Sequence, residues 1–423
     1  MSDPITTGEP GSDRPPTNAD VAPPDAAQEG AGVARVAGLR LPTESLRAYT
    51  MIIALVAIWL FFQWQTVTEL YPYGIFLHPV NFSKLLQQMA VTGVLAVGML
   101  MVIVAGQIDL SVGSVVGLAG GAAAMSQGWG LAPALGAALV IAVAIGAVQG
   151  TLVARANIPA FIVTLGGLLA WRGVILQVSE GSTVPVREPV FRALGVDLVA
   201  PQLGWALAAA AIAGVVWLTL RRNRARRRHG LEPSGPGATA ARVLLPSALI
   251  VAFVYLMNWE GSGERSRQGG VPVPVLVLLA VVALGAFLMQ NTTFGRYLYA
   301  IGGNPEAARL SGINIRRYIT GAFCVLGLLV GVASLLHTAR VGSASPDAGG
   351  LMELDAIAAC VIGGTSLMGG RGTVAGAMVG ALIMASLDNG MSLLGVQNST
   401  QYIVKGAVLV AAVGFDMLGR RRG

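Results

Sequence analysis

The sequence predicts an all-α protein that crosses a membrane many times. Of its 423 residues, 54% are hydrophobic and only 12% are charged, and the mean hydropathy is +0.68. A soluble domain carries about 25% charged residues, so this composition excludes an ordinary water-soluble enzyme, and the hydrophobicity excludes a disordered chain. The 56 glycines agree with packed membrane helices, because small residues let such helices approach closely.

Apolar stretches long enough for membrane-spanning helices follow one another along the chain. An α-helix needs about 20 apolar residues to span a bilayer. Twelve stretches qualify as candidates: roughly 48–66, 85–105, 110–126, 131–153, 159–178, 203–220, 243–259, 272–290, 317–337, 353–370, 373–394 and 402–418. The third and tenth are short and rich in glycine, as broken or re-entrant helices are, and the seventh is also short. The expected count is therefore ten to twelve.

The distribution of lysine and arginine predicts the orientation, because cytoplasmic loops retain these residues. With both termini inside, 20 of the 28 basic residues fall on the cytoplasmic side, 6 fall outside and 2 lie within segments. We therefore expect an N-in, C-in protein of a bacterial inner membrane, with the lipid bilayer as its surroundings. This bias explains the net charge of +7 without nucleic acid as a partner.

Composition also divides the chain into regions. The first 34 residues hold six acidic residues in a Pro-, Ala- and Gly-rich stretch, which predicts a disordered cytoplasmic tail over residues 1–47. Residues 48–220 form a front transmembrane half, and 243–423 form a rear half. Between them, 221–242 is a basic linker, and its segment 232–237 is expected to break any helix. Such halves suggest an internal repeat, as many transporters have.

Catalytic chemistry is not evident in the sequence. A phosphate-binding P-loop needs a lysine between Gly and Ser or Thr, and neither lysine of the chain, Lys84 or Lys405, has that context. The three histidines are scattered, so no zinc-type spacing exists. We expect no catalytic residues, no metal and no cofactor, and any ATP hydrolysis would belong to a partner chain.

The loop at 291–316 contains a short helix with its own start and stop signals. Asn304 suits the N-cap and Pro305 the first helical position. Glu306 suits the first turn, where the helix dipole favours an acid, and Gly312 suits the left-handed residue after a helix. So short a helix is not stable alone in water. It is either a surface helix between spans or a helix that inserts into a soluble partner.

This loop resembles a known family. Glu306-Ala307-Ala308, followed by Arg309 and Gly312, is similar to the EAA loop of ABC-importer permeases, which contacts the ATP-hydrolysing subunit. The longer string 302–313 is similar to the form in the ribose/xylose/arabinose permease family. Stretches 108–114, 159–166 and 360–370 resemble further signatures of that family, and 386–392 and 401–406 most resemble its xylose-type members.

The resemblance implies a permease fold and a set of partners. Family members form homodimers around a central path, so a second copy of this chain is expected. An ATP-binding subunit would contact the helix after Asn304, and a periplasmic or extracellular sugar-binding protein would contact loops 181–200 and 338–350. Candidate residues for the latter contact are Arg187, Arg192, Arg340 and Asp347.

Polar residues at membrane depth are candidates for the translocation path, since such residues are costly there. Each has an alternative. Asp109 either caps the following helix or faces the path. Asp388 lines the path, pairs with Lys405 or has an interfacial position. Glu353 and Asp355 suit the start of their helix. The full candidate set is Gln87, Gln88, Thr92, Asp109, Ser111, Thr164, Asp388 and Asn389.

The predicted function is the membrane-spanning permease of an ATP-driven importer for a monosaccharide, with xylose as the first choice. Neutral amides and hydroxyls suit sugar hydroxyls, which both donate and accept hydrogen bonds. The alternative is a proton-driven secondary transporter that acts alone through Asp109, Asp388 and Lys405. A membrane-embedded enzyme is disfavoured because no nucleophile–base or metal set is present.

Overall fold

The computed structural model describes residues 33–36, 39–69, 71–228, 230, 232, 235–259 and 269–420. The chain divides into two units, residues 1–47 with Gly423, and residues 48–422. In the first unit, strand β1 (Val33–Val36) pairs antiparallel with β2 (Leu39–Pro42). The predicted acidic tail lies for the most part outside the described residues.

Helices make up nearly all of the second unit. They are α1 (Thr43–Gln65, which starts in the first unit), α2 (Pro79–Val104), α3 (Val112–Ser126), α4 (Leu131–Arg155), α5 (Ala160–Val178), α6 (Pro189–Val196), α7 (Pro201–Arg228), α8 (Pro236–Met257), α9 (Val273–Asn291), α10 (Thr293–Gly303), α11 (Pro305–Leu310), α12 (Ile315–Val341), α13 (Met352–Ile362), α14 (Val374–Leu393) and α15 (Asn398–Arg420). Eight helices within the described residues are long and apolar enough to cross a membrane: α2, α4, α5, α7, α8, α9, α12 and α14. The other four predicted stretches correspond to α1, α3, α13 and α15.

The two stretches expected to be broken are indeed short helices. Helix α3 has 15 residues and α13 has only 11, or about 16 Å at 1.5 Å per residue, half of a hydrocarbon core of about 30 Å. The predicted extent of 353–370 was wrong, because α13 ends at Ile362. The following chain turns at Gly364 and Gly369, whose φ angles of +93° and +85° do not continue a helix.

The basic stretch 221–242 is more helical than predicted. Helix α7 continues through the arginines to Arg228, because arginine is a good helix former. Helix α8 already begins at Pro236, so the prediction that all of 232–237 is non-helical was wrong. Proline at the first helical position is favourable, because its missing N–H would have no partner there.

Helix α2 lies at the centre of the bundle, and 89% of the residues in its most apolar 18-residue stretch are buried. It begins at Pro79, six residues before the predicted start at 85. The most extensive contact between two helices is that of α4 with α12. A Cβ at Gly146 would overlap the backbone of Phe323, and one at Gly327 would lie 2.5 Å from the Ala142 carbonyl oxygen. Glycine at these positions lets the two backbones touch.

Two ends of the bundle can be distinguished. At the first, here called the α11 end, the Gly370 amide donates to the Val104 carbonyl (2.9 Å) and the Tyr299 hydroxyl donates to the Gly372 carbonyl (2.7 Å). At the other, the strand end, two antiparallel pairs form: β3 (Val184–Pro185) with β6 (Ser343–Ala344), and β4 (Leu198–Val199) with β5 (Val271–Pro272).

Candidate functional site

Helix α11 has the local geometry that its sequence predicts. The Asn304 side-chain oxygen accepts a hydrogen bond from the Ala307 amide at 3.0 Å, and Pro305 is the first helical residue. Gly312 has φ +81°, the left-handed conformation that ends a helix. Glu306 and Arg309 form an exposed ion pair at 2.6 Å, and the Glu306 carboxylate raises the pKa of the Arg309 guanidinium.

One side of α11 is free and the other is fixed to the bundle. Leu310, which the sequence analysis did not single out, is 77% exposed, whereas Ala308 is 4% exposed. The preceding helix α10 packs its end so closely on α2 that a Cβ at Gly302 would overlap the Val104 carbonyl. The chain just before α11 is therefore in contact with α2 and, through Gly370, with the loop between α13 and α14.

A buried polar cluster joins the loop before α3 to α4 and α5. One carboxylate oxygen of Asp109 accepts from the amide of Ser111 at 2.8 Å and from its hydroxyl at 2.7 Å. The side chain of Gln149 lies 3.0–3.1 Å from the Ser111 hydroxyl. Thr164 donates to the carbonyl of Ala160 at 2.9 Å. Asp109 therefore stabilises the turn that precedes α3, while the N-cap residue of that helix is Ser111 and not Asp109.

Gln149 is a member of this cluster that sequence reasoning missed. It is 3% exposed and lies in the last two turns of the apolar helix α4. A polar residue within a span was the available signal. The Gly167 backbone passes so near that a Cβ there would overlap the Gln149 amide nitrogen. The Trp171 Nε1 atom lies in the same region, buried and without a hydrogen-bond partner.

A second polar network ties together α13, α14 and α15. The Lys405 ammonium lies 3.0 Å from an Asp355 oxygen and 2.9 Å from an Asp388 oxygen. All three side chains are between 11% and 18% exposed. The pairing of Asp388 with Lys405, one of the three predicted alternatives, is therefore present, with Asp355 as a further partner.

The neighbouring amide Asn389 is also paired. Asn81 at the start of α2 and Asn389 on α14 exchange two side-chain hydrogen bonds of 2.8 and 3.2 Å. One turn earlier on α14, the Ser386 hydroxyl accepts from Trp59 Nε1 at 2.9 Å. These contacts fix α14 to α1 and α2, and they involve residues more than 300 positions apart in the chain.

The N-terminal ends of the two short helices α3 and α13 meet inside the bundle. Glu353 on α13 lies so close to α3 that a Cβ at Gly113 would overlap its carboxylate and the Gly349 carbonyl. Arg172 on α5 donates to the carbonyls of Pro346 and Ala348 and so holds this loop. Arg172 was counted as lying within a span but was not predicted to act; an ionisable residue in a span is a sufficient signal.

The other predicted positions are more scattered. Gln87 is buried and bonds to Ser83 at 3.4 Å, while Gln88 and Thr92 are half-buried on the same helix. At the strand end, Arg187, Arg192 and Asp347 are exposed. Arg340 is only half-buried there, and its Nε atom is buried without a hydrogen-bond partner. Within the described part of the chain, no group of three His, Cys, Asp or Glu residues could hold a metal ion.

Comparison with known proteins identifies the family. A family model described as branched-chain amino acid transport system / permease component matches residues 81–413. The chain belongs to this permease family. It is a multi-pass membrane protein, and the family resemblance of the loop around Glu306 is confirmed at the level of the whole chain.

Individual relatives are similar over most of their length. The xylose transport system permease protein of Escherichia coli K12 is 44% identical over 385 residues, 90% of this chain and 94% of that protein. The corresponding protein of Haemophilus influenzae is 42% identical over 90% of this chain and 99% of its own length. The ribose import permease protein of Escherichia coli K12 is 36% identical, over 79% and 85% of the two chains. No solved structure matches.

Proposed function

We propose that this chain is the membrane-spanning permease subunit of an ATP-driven importer of a pentose, with xylose as the first candidate. The support is family membership together with relatives named as xylose and ribose permeases. Both sugars are neutral five-carbon molecules, so recognition requires neutral donors and acceptors rather than a fixed charge. The cell's inner membrane, with both termini in the cytoplasm, is the proposed location.

The observation that carries the proposal is the two-sided helix α11. It presents Leu310 and the Glu306–Arg309 pair to solvent, which is the composition of a small protein-docking surface: an apolar centre beside charged groups. The helix that precedes it, α10, ends at Gly302–Gly303, and Gly302 contacts the Val104 carbonyl at the end of α2. An ATPase subunit that binds α11 and changes conformation would therefore displace α10 and, with it, the central helix α2.

The translocation path is proposed to run along the ends of α3 and α13, where two short helices meet inside the bundle. Half-helices that start within the membrane are typical of transporter binding sites. A second copy of this chain would complete the path. A sugar-binding protein would dock at the strand end, on the exposed Arg187, Arg192 and Asp347, with Arg340 beneath them.

The proton-driven alternative is less compatible with the observed contacts. Asp388 is held by Lys405 at 2.9 Å, and Asp109 is held by Ser111. A proton carrier must exchange its proton with both sides of the membrane, whereas these carboxylates are engaged in structural contacts. By the same criterion we assign Asp388, Asn389 and Ser111 to structural contacts. Gln88 and Thr92, which are half-buried on α2, remain as path candidates.

The test is uptake of radiolabelled xylose into proteoliposomes that contain this chain with its ATPase and sugar-binding protein. We expect uptake that requires ATP and both partners. The Leu310→Glu variant should abolish co-purification of the ATPase and uptake. The control is Val190→Glu, which changes another exposed apolar residue, on α6 at the strand end (53%), and should retain ATPase binding. Uptake by the permease alone, driven by a pH gradient, would refute the proposal.

A further inference from the structure

We propose that the C-terminal end of α7 is a binding surface for anionic phospholipid headgroups. This surface, here called the arginine overhang, comprises residues 221–228. It carries six arginines: Arg221, Arg222, Arg224, Arg226, Arg227 and Arg228. All six are exposed, and no acidic residue interrupts them.

The overhang emerges from the membrane at the α11 end. Helix α7 directly follows β4, and α9 directly follows β5. Because β4 and β5 pair, both helices start at the strand end and run toward the α11 end. The 28 residues of α7 span about 42 Å, which exceeds a hydrocarbon core of about 30 Å. The last eight residues therefore project about 12 Å beyond the hydrocarbon core. The potential of an anionic membrane surface extends over a Debye length of about 10 Å, so most of these arginines lie within its range.

A tryptophan fixes the depth at which the overhang begins. Trp217 is 57% exposed, and the Arg221 guanidinium lies over its ring, 5.1 Å from the ring centre. Tryptophan prefers the membrane–water interface. The first arginine is thus placed at the level of the lipid phosphates, one helical turn beyond the interfacial ring.

The surroundings of α7 favour lipid over protein as the occupant. Helices α7 and α8 pack mainly on each other. In the most apolar 18-residue stretch of each helix, only 11% of the residues are buried inside the protein. Lipid therefore surrounds most of this helical hairpin. The arginine spacing distributes guanidinium groups around the whole helix rather than along one stripe. A docked protein would cover one side, whereas headgroups surround a helix on every free side.

A cleft between the two helices offers a place for one headgroup. It has a volume of about 780 Å³ and includes Asn223, Arg227 and Thr239 in its lining. The Asn223 amide donates to the Thr239 hydroxyl at 3.2 Å. Arg227 is suited to a phosphate, and the amide and hydroxyl are suited to glycerol hydroxyls. Glu232 also lines the cleft, so a headgroup that offers hydroxyls as well as negative charge fits better than a bare anion.

The test uses the purified full-length chain in nanodiscs of phosphatidylcholine that contain 20% of either brominated phosphatidylglycerol or brominated phosphatidylcholine. Bromine quenches nearby tryptophan, and the difference between the protein and its Trp217→Phe variant isolates the Trp217 signal. Each basic residue near an anionic surface strengthens binding roughly fivefold. We expect the quenching to give a relative binding constant for phosphatidylglycerol near Trp217 that is at least about tenfold higher than that for phosphatidylcholine at low salt, reduced in 0.5 M salt.

Substitutions separate the charge from other effects. Arg→Gln at all six positions should abolish the preference, and Arg→Lys at all six should retain most of it. Arg187→Gln with Arg192→Gln, which removes charge at the strand end, should leave it unchanged. Equal quenching by both lipids, or a preference that survives the sixfold Gln change, would overturn the proposal. Loss of ATPase co-purification with unchanged lipid preference would instead assign the surface to a protein. The quenching measurement itself needs neither ATPase nor sugar, so the lipid preference is tested independently of the proposed transport function.

Discussion

Replacement of Lys405 by methionine should strongly destabilise the rear part of the bundle. Lys405 is the cation that two carboxylates share, at 3.0 Å from Asp355 and 2.9 Å from Asp388. Methionine keeps the length of the side chain and removes the charge. Since both oxygens lie within 3.0 Å of one nitrogen, the two acids would face each other across a gap of at most about 6 Å.

The size of the effect follows from burial. The acidic side chains are only 11% and 13% exposed, so water does little to screen them. Removing one partner of a buried ion pair costs about 3–5 kcal/mol, mostly because a charge is left unpaired. Asp388→Asn is the matched control. It leaves one acid for one base and should cost about 1–2 kcal/mol.

The assay is thermal unfolding of the purified protein in detergent. For a chain of this size, 1 kcal/mol corresponds to about 2 °C in Tm, so Lys405→Met should lower Tm by about 6–10 °C and Asp388→Asn by less than half of that. Combining Lys405→Met with Asp355→Asn and Asp388→Asn should recover most of the loss. A Lys405→Met protein as stable as the parent, or more stable than Asp388→Asn, would refute the assignment of these groups to one network.

Three further predictions concern single contacts. Gly312→Val forces a branched side chain into φ +81°, at a cost of about 1–2 kcal/mol; the protein should still insert, but ATP-dependent xylose uptake should fall about tenfold, and unchanged uptake would contradict the coupling role of α11. Gln149→Leu removes one of the two partners of the buried Ser111 hydroxyl, while Asp109 remains, and should cost about 0.5–1.5 kcal/mol in unfolding with ATPase co-purification retained. No change in Tm would argue against the cluster. Asn81→Leu and Asn389→Leu should each lose about 1–3 kcal/mol because a buried amide is left unpaired, and the double variant should lose less than the sum, so strictly additive losses in Tm would contradict the reciprocal pair.

Local signals in the sequence determined the membrane class, the position of nearly every long helix and the geometry of α11. Each of these depends on a few consecutive residues: apolar length for a span, and the Asn304 cap, Pro305 start and Gly312 stop for the short helix. The same local rules failed at 363–370, where apolar composition predicted helix but successive glycines end it. At 221–228, the run of arginines that was interpreted as part of a linker continues α7 as a helix.

Tertiary structure alone decided how the polar residues pair. Lys405 forms ion pairs with carboxylates on two different helices, and Asn81 is hydrogen-bonded to a residue 308 positions away. Such pairs form because buried polar groups are almost always hydrogen-bonded, and their partners need not be close in sequence. Gln149 and Arg172 acquire their roles in the same way, from neighbours that no spacing rule connects. The sequence shows that a polar group is present within a span, and only the packing of the helices shows which partner satisfies it.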